Sequence, residues 1–444
     1  MTLTTSPSAP VDISRFIDER PVRGFQIRLL ILCAATLIVD GFDTQAIGYV
    51  APDLARDWHL SKGALGPVFS AGLFGLMIGA LVFGPVADRL GRKNVIVLST
   101  VAFGLGSLAT AFAPDVYWLM ALRFITGLGL GGAMPNTIAL TSEFSPHRRR
   151  ATMVMIMFCG FSVGAALGGF LAAALLPAYG WRSVFLVGGI VPLFYALVLA
   201  RTLPESIRFL ALAGRNKEQV SSILRRVDPS VTLSPDVTFQ VQEAKLAGLP
   251  VSHLFTQNRT ATTLLFWVVF FMSLLDLYLL SNWLPTVVSD LGASSSTASV
   301  IGALLQVGGV VGTISLGSLI DRFSFRALAV TYLIASLGIA AIGFSGHSLA
   351  LTSMAIFAAG FCVVGGQIAS NALTAAYYPT TIRSTGVGWA LGIGRIGSII
   401  GPLVGGVMLS NQLPLRTVFL VAAVPALCAA FAAALLGRVG RPAE

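Results

Sequence analysis

Asp40, Asp43, Arg123, Asp276 and Arg395 each stand inside a stretch of sequence that is otherwise apolar. The first two belong to LIVDGFDTQAIGYVAP, residues 37–52. A charge at the centre of a membrane-crossing helix costs about 2.5–3.5 kcal/mol on insertion scales, so partners or a function must offset it. The i, i+3 spacing of Asp40 and Asp43 puts both on one helix face, and Gly41 between them leaves room for a close neighbour. At ~1.5 Å per residue, Asp40 falls ~18 Å from Arg28, Arg123 ~10 Å below the far surface and Arg395 ~17 Å into its own segment. Three acids against two bases leave one carboxylate in excess. A buried carboxylate without a full partner favours its protonated form and can carry a proton near neutrality. A guanidinium matches a carboxylate in two parallel hydrogen bonds, which makes Arg395 the candidate clamp for an acidic ligand. This is chemistry of binding and proton exchange. No nucleophile–base pair, metal cluster or phosphate loop is visible, so an enzyme, a bound metal and a cofactor are not expected.

The elements that carry these residues are helices. Of 444 residues, 55% are hydrophobic and 11% charged, far below the roughly 25% charged residues of a soluble domain. Runs long enough to span a bilayer, about 20 residues each, occur as two sets of six, which predicts an all-α membrane protein of two six-helix bundles. The expected organisation is an N-terminal segment (1–27), a first bundle (28–201), a linker (202–258), a second bundle (259–437) and a tail (438–444). The first apolar run is too long for a cleavable leader and has no small-residue cleavage site. In the linker, Val220, Ile223, Leu224 and Val227 have helical spacing, which predicts a short amphipathic helix lying along the membrane surface.

A net charge of +10 raises the question of nucleic acid, but its distribution points elsewhere. With sides alternating at each span, Arg15, Arg20, Arg23, Arg28, Arg89, Arg92, Lys93, Arg148, Arg149, Arg150, Arg322, Arg326, Arg383, Arg438 and Arg441 fall on one side, and only Arg56, Lys62, Arg182 and Arg416 on the other. This is the positive-inside bias, so both termini are expected in the cytoplasm, the bilayer is the expected partner and nucleic acid is not. Cys33, Cys159, Cys362 and Cys428 each stand alone as packing residues, and His59, His147, His253 and His347 receive no role.

The halves align without a gap at an offset of 233 residues. Asp43 falls on Asp276, Pro52 on Pro285, Gly75, Gly79 and Gly84 on Gly308, Gly312 and Gly317, and Asp88-Arg89 on Asp321-Arg322. Pro146, Arg150, Gly164 and Gly168 fall on Pro379, Arg383, Gly397 and Gly401. Halves of equal topology, related by an axis along the membrane normal, are the plan of a rocking transporter that holds its substrate between them near mid-bilayer.

Several motifs then carry a resemblance. GPVADRLGRKNV, from Gly84, resembles the loop signature G-x-x-x-D-R-x-G-R-[KR] of the major facilitator superfamily, while GSLIDRFSFRAL is its degenerate copy, with Ser324 and Phe325 in place of Gly and Arg. RFITGLGLGGAMPN, from Arg123, resembles that superfamily's R-x-x-x-G-x-G motif, and LPESIRFLA resembles its P-E-S-x-R segment. DGFDTQAIGYVAP resembles the D-G-[FY]-D signature of the aromatic acid:proton symporter family, as do SNWLP (Ser281–Pro285) and YYPTTIRSTGVG (Tyr377–Gly388), and within that family the chain is similar to the bacterial 4-hydroxybenzoate and protocatechuate transporters. The resemblance implies a multi-pass bacterial inner-membrane protein that imports a small aromatic acid with protons by alternating access and functions as a monomer. It ties the Arg123 motif to proton coupling, for which the buried acids Asp40, Asp43 and Asp276 are the expected carriers with Arg123 modulating them. It also implies gating by Asp88, Arg89, Arg92, Lys93, Glu143, Arg150, Asp321, Arg322 and Arg383.

For the substrate, Arg395 is expected to take the carboxylate and Phe42, Trp283, Phe361 or Trp389 the ring. Asn136, Gln306, Gln367 or Asn371 would then reach ring hydroxyls. The alternative is a proton-coupled importer of a sugar or an aliphatic acid. Against the sugar reading, FMSLLDLYLLSNWLP lacks the glutamine-rich motif of sugar porters.

Overall fold

A computed structural model describes residues 11–213, 217–231, 238–240, 251–346, 348–379 and 382–439. His347 and the tail beyond Val439 lie outside the described residues, as does much of the linker. Helix α1 (Ile13–Asp18) precedes six long helices: α2 (Gly24–Asp57), α3 (Lys62–Leu90), α4 (Arg92–Thr110), α5 (Val116–Glu143), α6 (His147–Tyr179) and α7 (Trp181–Thr202). Two short helices follow, α8 (Ile207–Ala213) and α9 (Lys217–Val227). Then come α10 (Thr260–Asp290), α11 (Ser295–Phe323), α12 (Phe325–Phe344), α13 (Leu349–Tyr377), α14 (Arg383–Ser410) and α15 (Leu415–Val439). Among the described residues, twelve helices are long and apolar enough to cross a membrane.

Glycine decides how closely these helices approach. A Cβ on Gly75 would lie 2.1 Å from the carbonyl oxygen of Phe124, and one on Gly308 would lie 2.3 Å from that of Phe357. Gly127 and Gly360 show the same backbone approach, at 2.0 Å, to Gly72 and Leu305. All four pairs of positions are 233 residues apart, so the sequence repeat recurs as a repeat of helix–helix contacts: α3 on α5 matches α11 on α13, and α2 on α6 matches α10 on α14. Small residues permit this close packing where lipid removes any hydrophobic drive between helices.

The halves meet along α2–α10, α3–α14 and α6–α11, and their hydrogen bonds cluster at one end. There Lys62 Nζ lies 2.5 Å from Asp290 Oδ2, and Arg56 donates to Ser289 (2.7 Å) and Ser295 (3.2 Å). Ser295 donates to Asp53 (2.7 Å), Ser296 to the Ala173 carbonyl (2.8 Å) and Ser70 to the Ile399 carbonyl (2.8 Å). No ion pair joins the halves at the other, basic end among the described residues. The cross-half bonds thus hold one end, and the basic end, which no such bond bridges among the described residues, is termed the open end.

Under the first half, at the basic end, Val220, Ile223, Leu224 and Val227 of α9 are buried with Ile13 and Ile17 of α1 and with Leu203 and Ile207. The apolar stripe of α9 therefore packs on protein, where the spacing alone suggested a lipid surface. Asp228 closes this layer: Arg20 Nε and Arg23 Nη1 each donate to its carboxylate at 2.7 Å. Partial burial pushes that carboxyl up, but hydrogen bonds from Arg20 and Ser230 and the charge of Arg23 outweigh it and hold it at about 2. A two-residue parallel pairing, Val11–Asp12 (β1) with Phe239–Gln240 (β2), completes the tie.

Candidate functional site

Asp40 and Asp43 are fully buried on the inward face of α2. Gly41 turns its bare side toward α6, where a Cβ would lie 2.1 Å from the Phe161 carbonyl oxygen, so the acidic face is pressed into the bundle. Arg123, on α5, answers Asp43. Its Nη2 donates to Asp43 Oδ2 and to the Asp43 carbonyl oxygen, both at 3.0 Å, and its guanidinium sits 5.6 Å from the Phe185 ring centroid. Nη1 of Arg123 and Oδ1 of Asp43 have no hydrogen-bond partner among the described residues. A pair so enclosed is expensive to desolvate, and removing one partner leaves a charge stranded.

Asp40 is different. Thr44 Oγ1 donates to its Oδ1 at 3.1 Å, and its Oδ2 has no partner among the described residues. The cation that acts on it comes from the other half: Arg395 on α14 interacts electrostatically with Asp40, without forming an ion pair. Arg395 is weakly held, with Nη1 3.4 Å from the Tyr278 hydroxyl of α10 and Nη2 3.4 Å from Met134 Sδ of α5. An acid of one half is thus within electrostatic reach of a base of the other, and Tyr278, which contacts Arg395, feels both charges. Tyr278 and Met134 escape the sequence reading, because a tyrosine or methionine in an apolar run looks like packing. The repeat holds a signal for Tyr278: its counterpart is the buried Gln45, whose Nε2 has no partner.

Asp276 lies apart from this set. It is buried, and neither carboxylate oxygen meets a donor at full hydrogen-bond geometry among the described residues; the groups that act on it are Tyr332 of α12 and the backbone at Ala426 of α15. The counterpart of Arg123 in the second half is Ile356, so the cation that answers Asp43 is missing there.

The other sequence candidates scatter. Gln367 is buried, and among the described residues neither its side-chain polar atoms nor Asn371 Oδ1 have a hydrogen-bond partner. Gln306 donates to Ser281 at 3.2 Å, and Asn136 donates back to the Gly132 carbonyl of its own helix at 2.8 Å. Trp283 donates to the Pro402 carbonyl at 2.9 Å and meets Phe69 edge-on at 5.1 Å, which places it where α10, α14 and α3 join. Phe42 lines an apolar groove with Ile38, Leu167 and Val191, where a Cβ on Gly188 would lie 3.1 Å from the Phe42 ring and 3.6 Å from Asp43 Oδ1. Phe361 is half-buried. Trp389 is 45% exposed and stacks on Trp267.

Of the expected gating residues, Arg92 pairs with Glu143, to which Ser206 donates at 2.6 Å. The Lys93 amide donates to Glu205 at 3.0 Å, across Gly91, whose φ of 88° and lack of a Cβ admit that carboxylate. Arg150 reaches Asp18 at 3.9 Å and Arg383 donates to the Tyr378 carbonyl at 3.3 Å. Asp88, Arg89, Asp321 and Arg322 are exposed at the open end. Sequence reading treats Arg56 and Lys62 only as orientation charges. Their cross-half contacts emerge only once the fold brings α2 and α3 against α10 and α11.

Comparison with known proteins agrees with this architecture. A family model described as Major Facilitator Superfamily matches residues 33–270 and 266–444. The chain is 42% identical over 440 residues, covering 98% of each chain, to the 4-hydroxybenzoate transporter PcaK of Pseudomonas aeruginosa. It is 44% identical over 426 residues, 96% of this chain and 94% of the relative, to a gallate transporter of Pseudomonas putida. A partially occluded, inward-open structure of the xylose transporter XylE from E. coli shares the fold at a TM-score of 0.72 and 19% identity, over 92% of this chain and 98% of that one.

Proposed function

We propose that this chain, which belongs to the major facilitator superfamily, carries a small aromatic carboxylate of the 4-hydroxybenzoate type inward across the bacterial cytoplasmic membrane together with protons. The observation that carries the reading is Arg395, a cation of the second half that reaches across to Met134 of the first and acts electrostatically on Asp40. Arg395 is a mid-membrane cation with no ion pair among the described residues, held by one hydroxyl and one thioether. A substrate carboxylate completes it with two charge-assisted hydrogen bonds. The full-length likeness to transporters of 4-hydroxybenzoate and gallate supports an aromatic acid over a sugar.

Coupling follows from competition for one guanidinium. Ionised, Asp40 draws on the charge of Arg395 and repels a second carboxylate. Protonated, it releases Arg395 to the substrate and gains a hydroxyl that can donate. Proton and substrate therefore enter together, and the neutralised site closes without stranding charge in a low-dielectric interior. Asp43, clamped by Arg123, holds the acidic face in place and modulates its neighbour. Gln367 occupies the repeat position of Met134, the residue that touches Arg395, so its free amide is the candidate partner for a ring hydroxyl.

The basic end is assigned to the cytoplasm by the positive-inside bias, which makes this conformation inward-open, with both termini inside. Purified protein in liposomes, given labelled 4-hydroxybenzoate and an inward proton gradient, should accumulate it, and unlabelled benzoates should compete where sugars do not. Accumulation that persists after the pH difference and voltage are collapsed would overturn the coupled reading. Competition by sugars alone would overturn the aromatic one.

A further inference from the structure

A second cavity, of about 650 Å³, lies at the basic end on the flank of the first half. Arg28 at the start of α2, Lys93 at the start of α4, Arg201 at the end of α7 and Arg226 on α9 line it. None of the four forms an ion pair with a described residue. The one acid in the lining, Glu205, accepts the backbone amides of Lys93 (3.0 Å) and Ser206 (2.7 Å). Four cations thus line a space whose only carboxylate among the described residues already accepts hydrogen bonds from main-chain amides, and Arg226 rests 5.0 Å from the centre of the Phe25 ring.

Below the cavity the surface changes to hydrocarbon on the same helix stripes. Ile31 stands three residues inward of Arg28, and Leu197 and Phe194 stand four and seven residues inward of Arg201. These spacings keep each residue on its cation's face. All three are exposed, at 61%, 55% and 70%, as is Leu98 on α4 at 57%. A cationic cavity continuous with lipid-facing apolar stripes fits a molecule with a phosphate at one end and acyl chains at the other.

We propose that this cavity binds the headgroup of an anionic phospholipid, its phosphate between Arg201, Arg226 and Arg28 and its chains against Ile31, Leu197 and Phe194. Basic pockets among helix ends on the cytoplasmic side are suited to such headgroups. The ligand chemistry is a phosphate ester, and the apolar stripes favour a lipid over free phosphate. Because Arg226 lies on α9, the bound lipid ties the linker to the transmembrane bundle. The inference does not depend on which solute is carried.

The test uses the full-length protein in nanodiscs of phosphatidylcholine with a minor fraction of phosphatidylglycerol, followed by native mass spectrometry of the lipid that stays bound. Phosphatidylglycerol should be retained in preference to phosphatidylcholine, and Arg201→Gln with Arg226→Gln should weaken retention ~30-fold, at about fivefold per cation. Inorganic phosphate should not displace the lipid. Substrate exchange at the unaltered rate shows that the variant is folded, and if it is not, the surface change Arg226→Gln alone should weaken retention about fivefold. Equal retention of both lipids, unchanged retention in the variants, or displacement by inorganic phosphate overturns the assignment.

Discussion

Asp40→Asn keeps the shape of the site and removes one titratable group. Asparagine retains an acceptor for the 3.1 Å hydrogen bond from Thr44 and fills the same buried volume, so the helix packing around Gly41 is undisturbed. What changes is the charge facing Arg395, which becomes free for substrate at every pH. The magnitude follows from the gradient. With one proton per monoanion entry is electroneutral, and each unit of pH difference drives it with about 1.36 kcal/mol, an accumulation of ~10-fold. If the substitution leaves the anion to move alone, 100 mV opposes entry by about 2.3 kcal/mol and holds the ratio ~50-fold below unity. The assay is paired. Accumulation under a pH gradient and voltage should collapse, while exchange of labelled for unlabelled 4-hydroxybenzoate continues, with an affinity that no longer falls as pH rises. An Asn variant that still accumulates substrate with unaltered pH dependence would refute the reasoning.

Further outcomes follow from the same geometry. Arg395→Lys keeps the charge but loses the planar fork, and at about 1.5–3 kcal/mol per charged hydrogen bond the uptake KM should rise roughly 10- to 100-fold; an unchanged KM removes Arg395 as the clamp. Arg123→Ala strands Asp43 and should cost about 3–5 kcal/mol of stability, seen as a lower melting temperature in detergent, whereas Asp43→Asn combined with Arg123→Gln should recover most of it. Lys62 and Asp290 are both partly exposed, so breaking their pair by Lys62→Gln should cost only about 0.2–1 kcal/mol, moving the balance between end states roughly 1.5- to 5-fold; labelling of a Gly84→Cys thiol at the open end reads that shift. At Asp228 the folded carboxyl lies below its unfolded value, so the clasp to Arg20 and Arg23 is at full strength above the unfolded value near pH 4 and is lost as pH falls through about 2. Asp228→Asn should release residues 11–23 to protease at neutral pH, where the unaltered chain stays protected.

What the sequence made legible was whatever depends on spacing. Twelve spans and the register of 233 residues follow from periodicity, and the cost of charge in lipid singles out Asp40, Asp43, Asp276, Arg123 and Arg395 without saying which acid meets which base. The flank to which a side chain points was less legible. Phe42 stands between two buried acids in the sequence yet lines an apolar groove with Ile38, Leu167 and Val191. Trp389 resembles a cavity aromatic by composition, but it falls at the open end against Trp267. The α9 stripe shows the same limit, because an amphipathic pattern specifies a buried face without saying what buries it.

The repeat explains why the site is where it is. Positions that set helix spacing are the same in both halves: Gly75 and Gly308, Gly79 and Gly312, Gly127 and Gly360. Positions that face the centre differ. Asp40 corresponds to Ser273, Arg395 to Ser162, Arg123 to Ile356, Tyr278 to Gln45, and Met134 to Gln367. A carrier that rocks between two end states needs halves that pack alike, so drift at the glycines would lock one end shut. Its ligand has no such symmetry: an aromatic acid has one charged end and one ring. An acid on one half opposite a base on the other gives the cavity a matching polarity, and closing the halves brings the two charges together. Two acids or two bases facing each other would instead repel on closure, in an interior that screens charge poorly.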